Sequence, residues 1–231
     1  ASHNPHFWNG IKFNPATGGP ALPEVTKAIE TEIERLQRGE GEVRLLTHLD
    51  EEFSKLVYSI DPSQEYFAEI RRKIDMDRIK GAVKKVAVDL VYGTGVDYLD
   101  QLLLSLLPGE EAQGLVVLHD YRDPYFGGYR PEPDKKRLRE LGQVVLEHRA
   151  QIGLAVDGDA DRFGIVDDKG VPITANEYLA IVAWHLYKNK GLRGDSARSV
   201  ATSHAMDRIV EHFGFQTLVT PVGFKFIGDA I

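Results

Sequence analysis

Three aspartates at alternate positions form the most chemically distinctive stretch of this sequence. In the segment IGLAVDGDADRFGIV, an apolar run is followed by Asp157, Asp159 and Asp161, separated by single small residues. Carboxylates this close repel one another unless a cation lies between them. Oxygen ligands without histidine or cysteine favour Mg²⁺, which normally keeps positions for water and a phosphate oxygen. Arg162 follows directly and offers the planar fork of donors that suits such a phosphate.

Three other interpretations of this acidic stretch compete with a magnesium site. An EF-hand loop shares the spacing, but it requires glycine where Arg162 stands, glutamate where Asp168 stands, and flanking helices instead of strands. An aspartyl-phosphate phosphatase also places aspartates after an apolar strand, where the first one acts as a nucleophile. The third alternative is an acidic turn exposed to solvent, with no bound ligand.

The first residues of the chain, ASHNPHFWNGIKF, offer a second candidate for chemistry. Serine needs a base, a metal or prior phosphorylation to react, and Ser2 lacks the flanking glycines of a hydrolase nucleophile elbow. A role as a phosphate carrier fits better. A phosphoryl group on Ser2 could supply one oxygen ligand to Mg²⁺ at the acidic loop, while His3, Asn4 and Lys12 donate hydrogen bonds around it.

The elements that must position these residues alternate between strand and helix. Helices are predicted around Val25 to Leu36 and, after Pro62, around Tyr66 to Ile74. The stretches KKVAVDL, VDYLDQLLLSLL, GLVVLH, DKKRLRELGQVVLEHRA and IGLAV then predict a βαβαβ unit. Gly93 and Gly95 lie in its first strand-to-helix turn; since Tyr98 replaces the third glycine of a dinucleotide fingerprint, they indicate only a tight turn.

A hairpin and a further strand-helix-strand unit are predicted beyond the acidic loop. The apolar segments FGIV and VPI flank a turn at residues 167–170. Asn176 is a candidate N-cap for the following helix, and SVATS and TLVTPV are predicted as strands around a helix from Ala205 to Phe213. This alternation predicts an α/β protein with helices on both faces of its sheets and ligands at the carboxyl ends of strands.

Composition limits the classes of partner. The 231 residues include 42% hydrophobic and 27% charged residues, which is an ordinary globular composition, and the formal net charge is -7. We therefore expect no nucleic-acid partner and no membrane association. The absence of cysteine excludes disulfides and thiolate metal sites and is compatible with the cytoplasm, where we expect the protein to act.

Four segments together resemble the α-D-phosphohexomutases, the phosphoglucomutase and phosphomannomutase superfamily. These segments are ASHNP, NGIKF, DGDADRFGIVD and TPVGFKFI, in the family's order and with similar spacing. The resemblance implies that Ser2 carries the transferable phosphate and that the three aspartates hold Mg²⁺. It also implies that Lys12 and Arg162 lie near the reacting phosphate and that Lys12 is a candidate for proton transfer. His3 and Asn4 would lie along the same loop as Ser2. Thr220, Gly223 and Lys225 would lie near the sugar.

The resemblance implies interconversion of hexose 1-phosphates and 6-phosphates through a bisphosphorylated sugar, with glucose as the main sugar and mannose as a candidate second one. The partners would be a hexose phosphate substrate and a hexose bisphosphate activator. A non-catalytic module that binds metal or sugar phosphate is the alternative.

Family members typically have four domains, and we expect three-layer α/β/α domains with mixed sheets in this chain, one complete and two partial. The expected boundaries are 1–75 for the end of domain I, 76–174 for domain II and 175–231 for the start of domain III. We accordingly expect a fragment that lacks N- and C-terminal parts of its parent protein and is inactive alone.

Overall fold

The computed structural model describes residues 4–8, 10–11, 13–16, 21–43, 55–107, 114–228 and 230. The chain divides into two compact units, one ending at Met76 and the other starting at Asp77. Among the described residues, no helix has both the length and the apolar character needed to cross a membrane.

In the described part of the first unit there are two helices, both at the positions predicted by sequence periodicity. Helix α1 spans Pro23–Gln37, and helix α2 spans Ser63–Lys73. Pro23 suits the first turn of α1 because its missing N–H has no partner in a helix anyway. At the start of α2, the Asp61 carboxylate accepts a hydrogen bond of 3.0 Å from the backbone N–H of Ser63.

The second unit begins in helix α3 and carries the alternating elements predicted from the sequence. In chain order these elements are α3 (Met76–Ala82), β1 (Val86–Asp89), α4 (Leu99–Leu104), β2 (Leu115–Leu118), a 3₁₀ turn (Phe126–Gly128), α5 (Lys135–His148), β3 (Ile152–Val156), β4 (Phe163–Val166), β5 (Pro172–Ile173), α6 (Ala175–Lys188), β6 (Ser196–Ser199), α7 (Ala205–His212), β7 (Thr217–Thr220) and α8 (Phe224–Gly228).

The first five strands form one mixed sheet in the order β2-β1-β3-β4-β5. Strand β1 pairs in parallel with β2 and β3, whereas β3–β4 and β4–β5 are antiparallel. The two parallel crossovers lead in opposite directions across the sheet. Because such crossovers are right-handed, α4 and α5 lie on opposite faces. The predicted three-layer α/β/α architecture with a mixed sheet is confirmed.

Helix α5 packs on the sheet and forms a hydrophobic core with it. Its residues Leu141 and Val145 are fully buried against strand residues that include Ala87, Ala155 and Val166. Gly153 permits this close approach, since a Cβ there would lie 2.8 Å from a methyl carbon of Val145. The packed helix fixes the strand ends from which the functional loops start.

The last elements form a smaller two-stranded parallel sheet of β6 and β7, packed with α6, α7 and α8. Two sequence-based details here were wrong. The N-cap of α6 is Thr174 and not Asn176, because Thr174 and Glu177 exchange hydrogen bonds in a capping box. Asn176 instead accepts a hydrogen bond from the backbone N–H of Ser203. Strand β6 also ends at Ser199, where SVATS was expected to begin.

Candidate functional site

The acidic loop connects β3 to β4 and folds back on its first residue. The backbone N–H of Asp157 donates to the carbonyl of Arg162 at 3.1 Å, and the N–H of Arg162 donates to Asp157 Oδ1 at 3.0 Å. Ala160 turns the chain with a left-handed φ of 58° and donates its N–H to the Asp157 carbonyl. The loop is therefore held in a tight turn at the carboxyl end of β3.

The turn brings the three predicted carboxylates together. One oxygen each from Asp157, Asp159 and Asp161 can be chosen so that all three lie within 4.8 Å of one another. Asp157 is fully buried, whereas the other two are exposed. A buried ligand at the base with two exposed ones at the rim suits a cation that keeps an open side for water or substrate. The donor set, oxygen only, fits a hard divalent metal.

Arg162 brings a positive charge close to this carboxylate group. Its Nε lies 3.8 Å from Asp161 Oδ1 and 4.0 Å from Asp157 Oδ2, and its Nη1 lies 3.6 Å from Glu132 Oε1. The side chain is 46% exposed, so these contacts leave donors available to solvent or to a ligand. Arg162 partly neutralises the carboxylates and is placed to contact an anion beside them.

Two neighbouring loops support the acidic loop through the Gly158 backbone. Its carbonyl accepts from the N–H of Thr94 at 3.0 Å, and its N–H donates to the carbonyl of Pro131 at 2.9 Å. A Cβ at Gly93 would lie only 2.5 Å from the Gly158 oxygen, so glycine is required there by close approach. The sequence predicted a tight turn at Gly93 but not its contact with the acidic loop.

The sequence did not predict a buried hydrogen-bonded pair at the same edge of the sheet. Asp89, the last residue of β1, is fully buried; its Oδ1 accepts from the N–H of Val91 and lies 2.7 Å from His119 Nδ1. The His119 ring lies tilted against Tyr92, with ring centres 4.4 Å apart, and burial raises the pKa of Tyr92. An aspartate ending the apolar run VAVD was the signal available in the sequence.

The remaining predicted residues fall in other parts of the chain. Ser2, His3 and Lys12 lie outside the described residues, and Asn4 belongs to the first unit. Thr220 ends β7, and its buried hydroxyl donates to the Arg198 carbonyl at 3.3 Å. Gly223 has a φ of 138°, and Lys225 lies in α8. The described geometry thus joins the three aspartates and Arg162.

Comparison with known protein families identifies one family along the chain. Three domain profiles of one family, phosphoglucomutase/phosphomannomutase, match the chain in order: α/β/α domain I at residues 1–40, domain II at 64–170 and domain III at 174–231. The chain belongs to this family. The acidic loop falls within the domain II match.

Relatives of this phosphoglucomutase/phosphomannomutase chain share about 30% of its residues. Phosphoglucomutase 1 of Drosophila melanogaster is 29% identical over 99% of this chain and 45% of its own length. Phosphoglucomutase-1 of Homo sapiens is 30% identical over 99% of this chain and 44% of its own length. A crystal structure from Thermus thermophilus, described as a phosphomannomutase, superposes with a TM-score of 0.78 at 31% identity, covering 100% of this chain and 49% of that one. The chain spans about half the length of these relatives.

Proposed function

We propose that this chain carries the phosphoserine and metal loops of a phosphohexomutase. The enzyme would interconvert hexose 1-phosphates and 6-phosphates, with glucose as the sugar and mannose as a second one. The observation that supports this most is the convergence of three aspartates and Arg162 at a strand end, in a chain of this family. We assign residues 1–75, 76–174 and 175–231 to parts of three successive domains.

The proposed reaction is two in-line phosphoryl transfers through Ser2. In the first, a hydroxyl oxygen of the sugar monophosphate attacks the phosphorus on Ser2, the bond from phosphorus to Ser2 Oγ breaks, and a bisphosphorylated sugar forms. After the sugar reorients, Ser2 Oγ attacks its other phosphate and the isomeric monophosphate leaves. A hexose bisphosphate is the corresponding activator, because it can phosphorylate Ser2 at the start.

Charge neutralisation is the main task of the residues around the moving phosphoryl group. We assign the metal site to Asp157, Asp159, Asp161 and an oxygen of phosphorylated Ser2. When bound there, Mg²⁺ would supply positive charge to the phosphoryl oxygens. Arg162 adds a second cation beside the carboxylates. Lys12, in its neutral form, would accept the proton that the attacking hydroxyl loses and return it to Ser2 Oγ as that oxygen leaves phosphorus.

The remaining residues are proposed to hold the substrate. His3 and Asn4 would donate hydrogen bonds around Ser2. Thr220 at the end of β7, Gly223 in the following loop and Lys225 in α8 would contact the sugar. The left-handed backbone of Gly223 supports this assignment, because such positions allow a main chain to approach a ligand closely.

Intact mass spectrometry tests the phosphate carrier. After incubation with glucose 1,6-bisphosphate and Mg²⁺, we expect the chain to gain the mass of one phosphoryl group. Ser2→Ala should abolish the gain, whereas the matched control Ser59→Ala should keep it. A gain that survives Ser2→Ala but disappears in Asp157→Asn would contradict the proposal and indicate an aspartyl phosphate instead.

A further inference from the structure

A second concave site lies in the 77–231 unit, beyond the ends of β1 and β2. Its volume is about 250 Å³, and the side chains that matter here are Tyr92, His119, Tyr129, Arg130, Lys136 and Arg137. A water molecule occupies roughly 30 Å³ in the liquid, so this cavity has room for a polyatomic ligand. Neither the family resemblance nor the proposed function assigns a role to it.

Arg137 is the most informative residue of this cavity. It is 5% exposed, and its Nη2 donates to the carbonyl of Phe126 at 3.1 Å. Among the described residues, no carboxylate lies within ion-pair distance of its guanidinium. A buried charge without a counter-charge is costly, so a bound anion would stabilise this arrangement.

Two further cations line the same cavity without an ion pair to any described residue. Lys136 Nζ lies 4.1 Å from the centre of the Tyr129 ring, and Arg130 contributes a second guanidinium. Cation–π contact leaves the Lys136 charge uncompensated by any anion. Three positive side chains thus face a space that also has aromatic walls.

The two carboxylates of the cavity do not neutralise these cations. Asp134 is the N-cap of α5, and its Oδ1 accepts hydrogen bonds from the backbone N–H groups of Lys136 and Arg137. Glu140 is the other acidic side chain. Three cations against two carboxylates leave a positive balance.

We propose that this cavity binds a phosphate-class anion, either inorganic phosphate or the phosphate group of a sugar phosphate. The planar donors of Arg137 and Arg130 suit tetrahedral oxyanions, and Lys136 adds a point charge. The His119 ring forms part of the cavity wall. The contact of 2.7 Å between His119 Nδ1 and Asp89 Oδ1 holds this ring in place.

The cavity also connects to the acidic loop. Arg130 precedes Pro131, whose carbonyl accepts from Gly158, and Glu132 faces Arg162 at 3.6 Å. An anion that draws Arg130 inward therefore acts on the segment that supports the three aspartates. We expect phosphate to shift amide signals in the acidic loop as a secondary effect, smaller than the shifts at the cavity.

Titration of the unphosphorylated, EDTA-treated chain with inorganic phosphate tests this site by ¹⁵N NMR. We expect the largest shifts at residues 119–137. Lys136→Met should weaken phosphate binding at least fivefold without disturbing the fold, because Lys136 is exposed and its ammonium lies over the Tyr129 ring. Arg137→Met should weaken it further. Arg139→Met, an exposed position of the same helix, is the matched control and should bind like the parent chain.

The outcomes separate the two sources of phosphate. Tighter binding of glucose 6-phosphate than of inorganic phosphate indicates a sugar phosphate, and equal or weaker binding indicates the free ion. Equal affinity of the parent chain and Lys136→Met, or shifts confined to the acidic loop, would overturn the proposal. Because the titration uses neither metal nor phosphorylated Ser2, its failure would leave the proposed mutase function untouched.

Discussion

Gly93 lies with its Cα directly against the backbone of Gly158. A Cβ built on Gly93 would be 2.5 Å from the Gly158 oxygen and 2.9 Å from its Cα. The neighbouring N–H of Thr94 donates to that same oxygen. The loop after β1 therefore serves as a support for the acidic loop after β3, and the shape of the candidate metal site depends on a glycine far from it in sequence.

Gly93→Ala should destabilise the second unit by about 1 to 3 kcal/mol, because backbone atoms of Gly158 must move to admit the methyl group. Urea unfolding followed by circular dichroism measures this loss. Gly81→Ala is the control: a Cβ there meets no atom within 4 Å, and alanine favours the helix. Equal losses of stability in the two variants would show that the close approach at Gly93 does not affect the free energy of unfolding.

Removal of one carboxylate from the acidic loop should weaken divalent metal binding. We expect Asp159→Asn and Asp161→Asn each to lower Mn²⁺ affinity at least tenfold, since each removes one of three anionic ligands. Electron paramagnetic resonance of free Mn²⁺ gives the affinity. Asp168→Asn, in the hairpin turn nearby, should bind like the parent chain; an equal loss there would indicate attraction by general negative charge only.

Arg162→Met should have the opposite effect and strengthen Mn²⁺ binding by roughly fivefold. The guanidinium Nε is within 4.0 Å of two ligand carboxylates, so its charge opposes a cation there by about 1 kcal/mol in a solvated site. The same titration measures the change, with Arg139→Met as the control. Weaker metal binding in Arg162→Met would mean that Arg162 acts mainly by holding the loop in shape.

The ion pair of Arg198 with Asp207 should make stability depend on pH in the acid range. Arg198 donates to both carboxylate oxygens at 2.6 and 2.5 Å, and this bonding lowers the pKa of Asp207 to about 2. The pKa of Asp207 in the folded state lies below the value of about 3.9 in the unfolded state. The ion pair therefore stabilises the folded state fully at pH values above about 3.9, and this stabilisation is lost as the pH falls towards 2.

Asp207→Asn should therefore lower stability at neutral pH, where it leaves the buried Arg198 without its counter-charge, and the difference from the parent chain should shrink between about pH 4 and 2. Thermal melts across this range provide the measurement. Glu211→Gln, exposed on the same helix, serves as the control and should melt like the parent. A difference that stays constant with pH would contradict the assignment of this carboxylate.

Strong local patterns were sufficient to predict most elements. The strand before the acidic loop was predicted at residues 152–156, where it is found, and helices α1 and α5 follow from their apolar spacing and flanking residues. Weak local signals were not sufficient: Asn176 and Thr174 are both good N-caps, and only the reciprocal hydrogen bonds with Glu177 decide between them. The predicted position of strand β6 was wrong because a charged residue, the buried Arg198, is not typical of the interior of a strand.

The sequence by itself determined the chemistry of the acidic loop, since alternating aspartates after an apolar strand and before an arginine are a local feature. Only the tertiary structure decided what surrounds that loop. The Gly93 to Gly158 contact, the Asp89 to His119 pair and the buried guanidinium of Arg137 each join residues that are distant in sequence or lie on different elements. Such contacts depend on which strands become neighbours in the sheet. A local pattern of residue types does not determine the order of the strands.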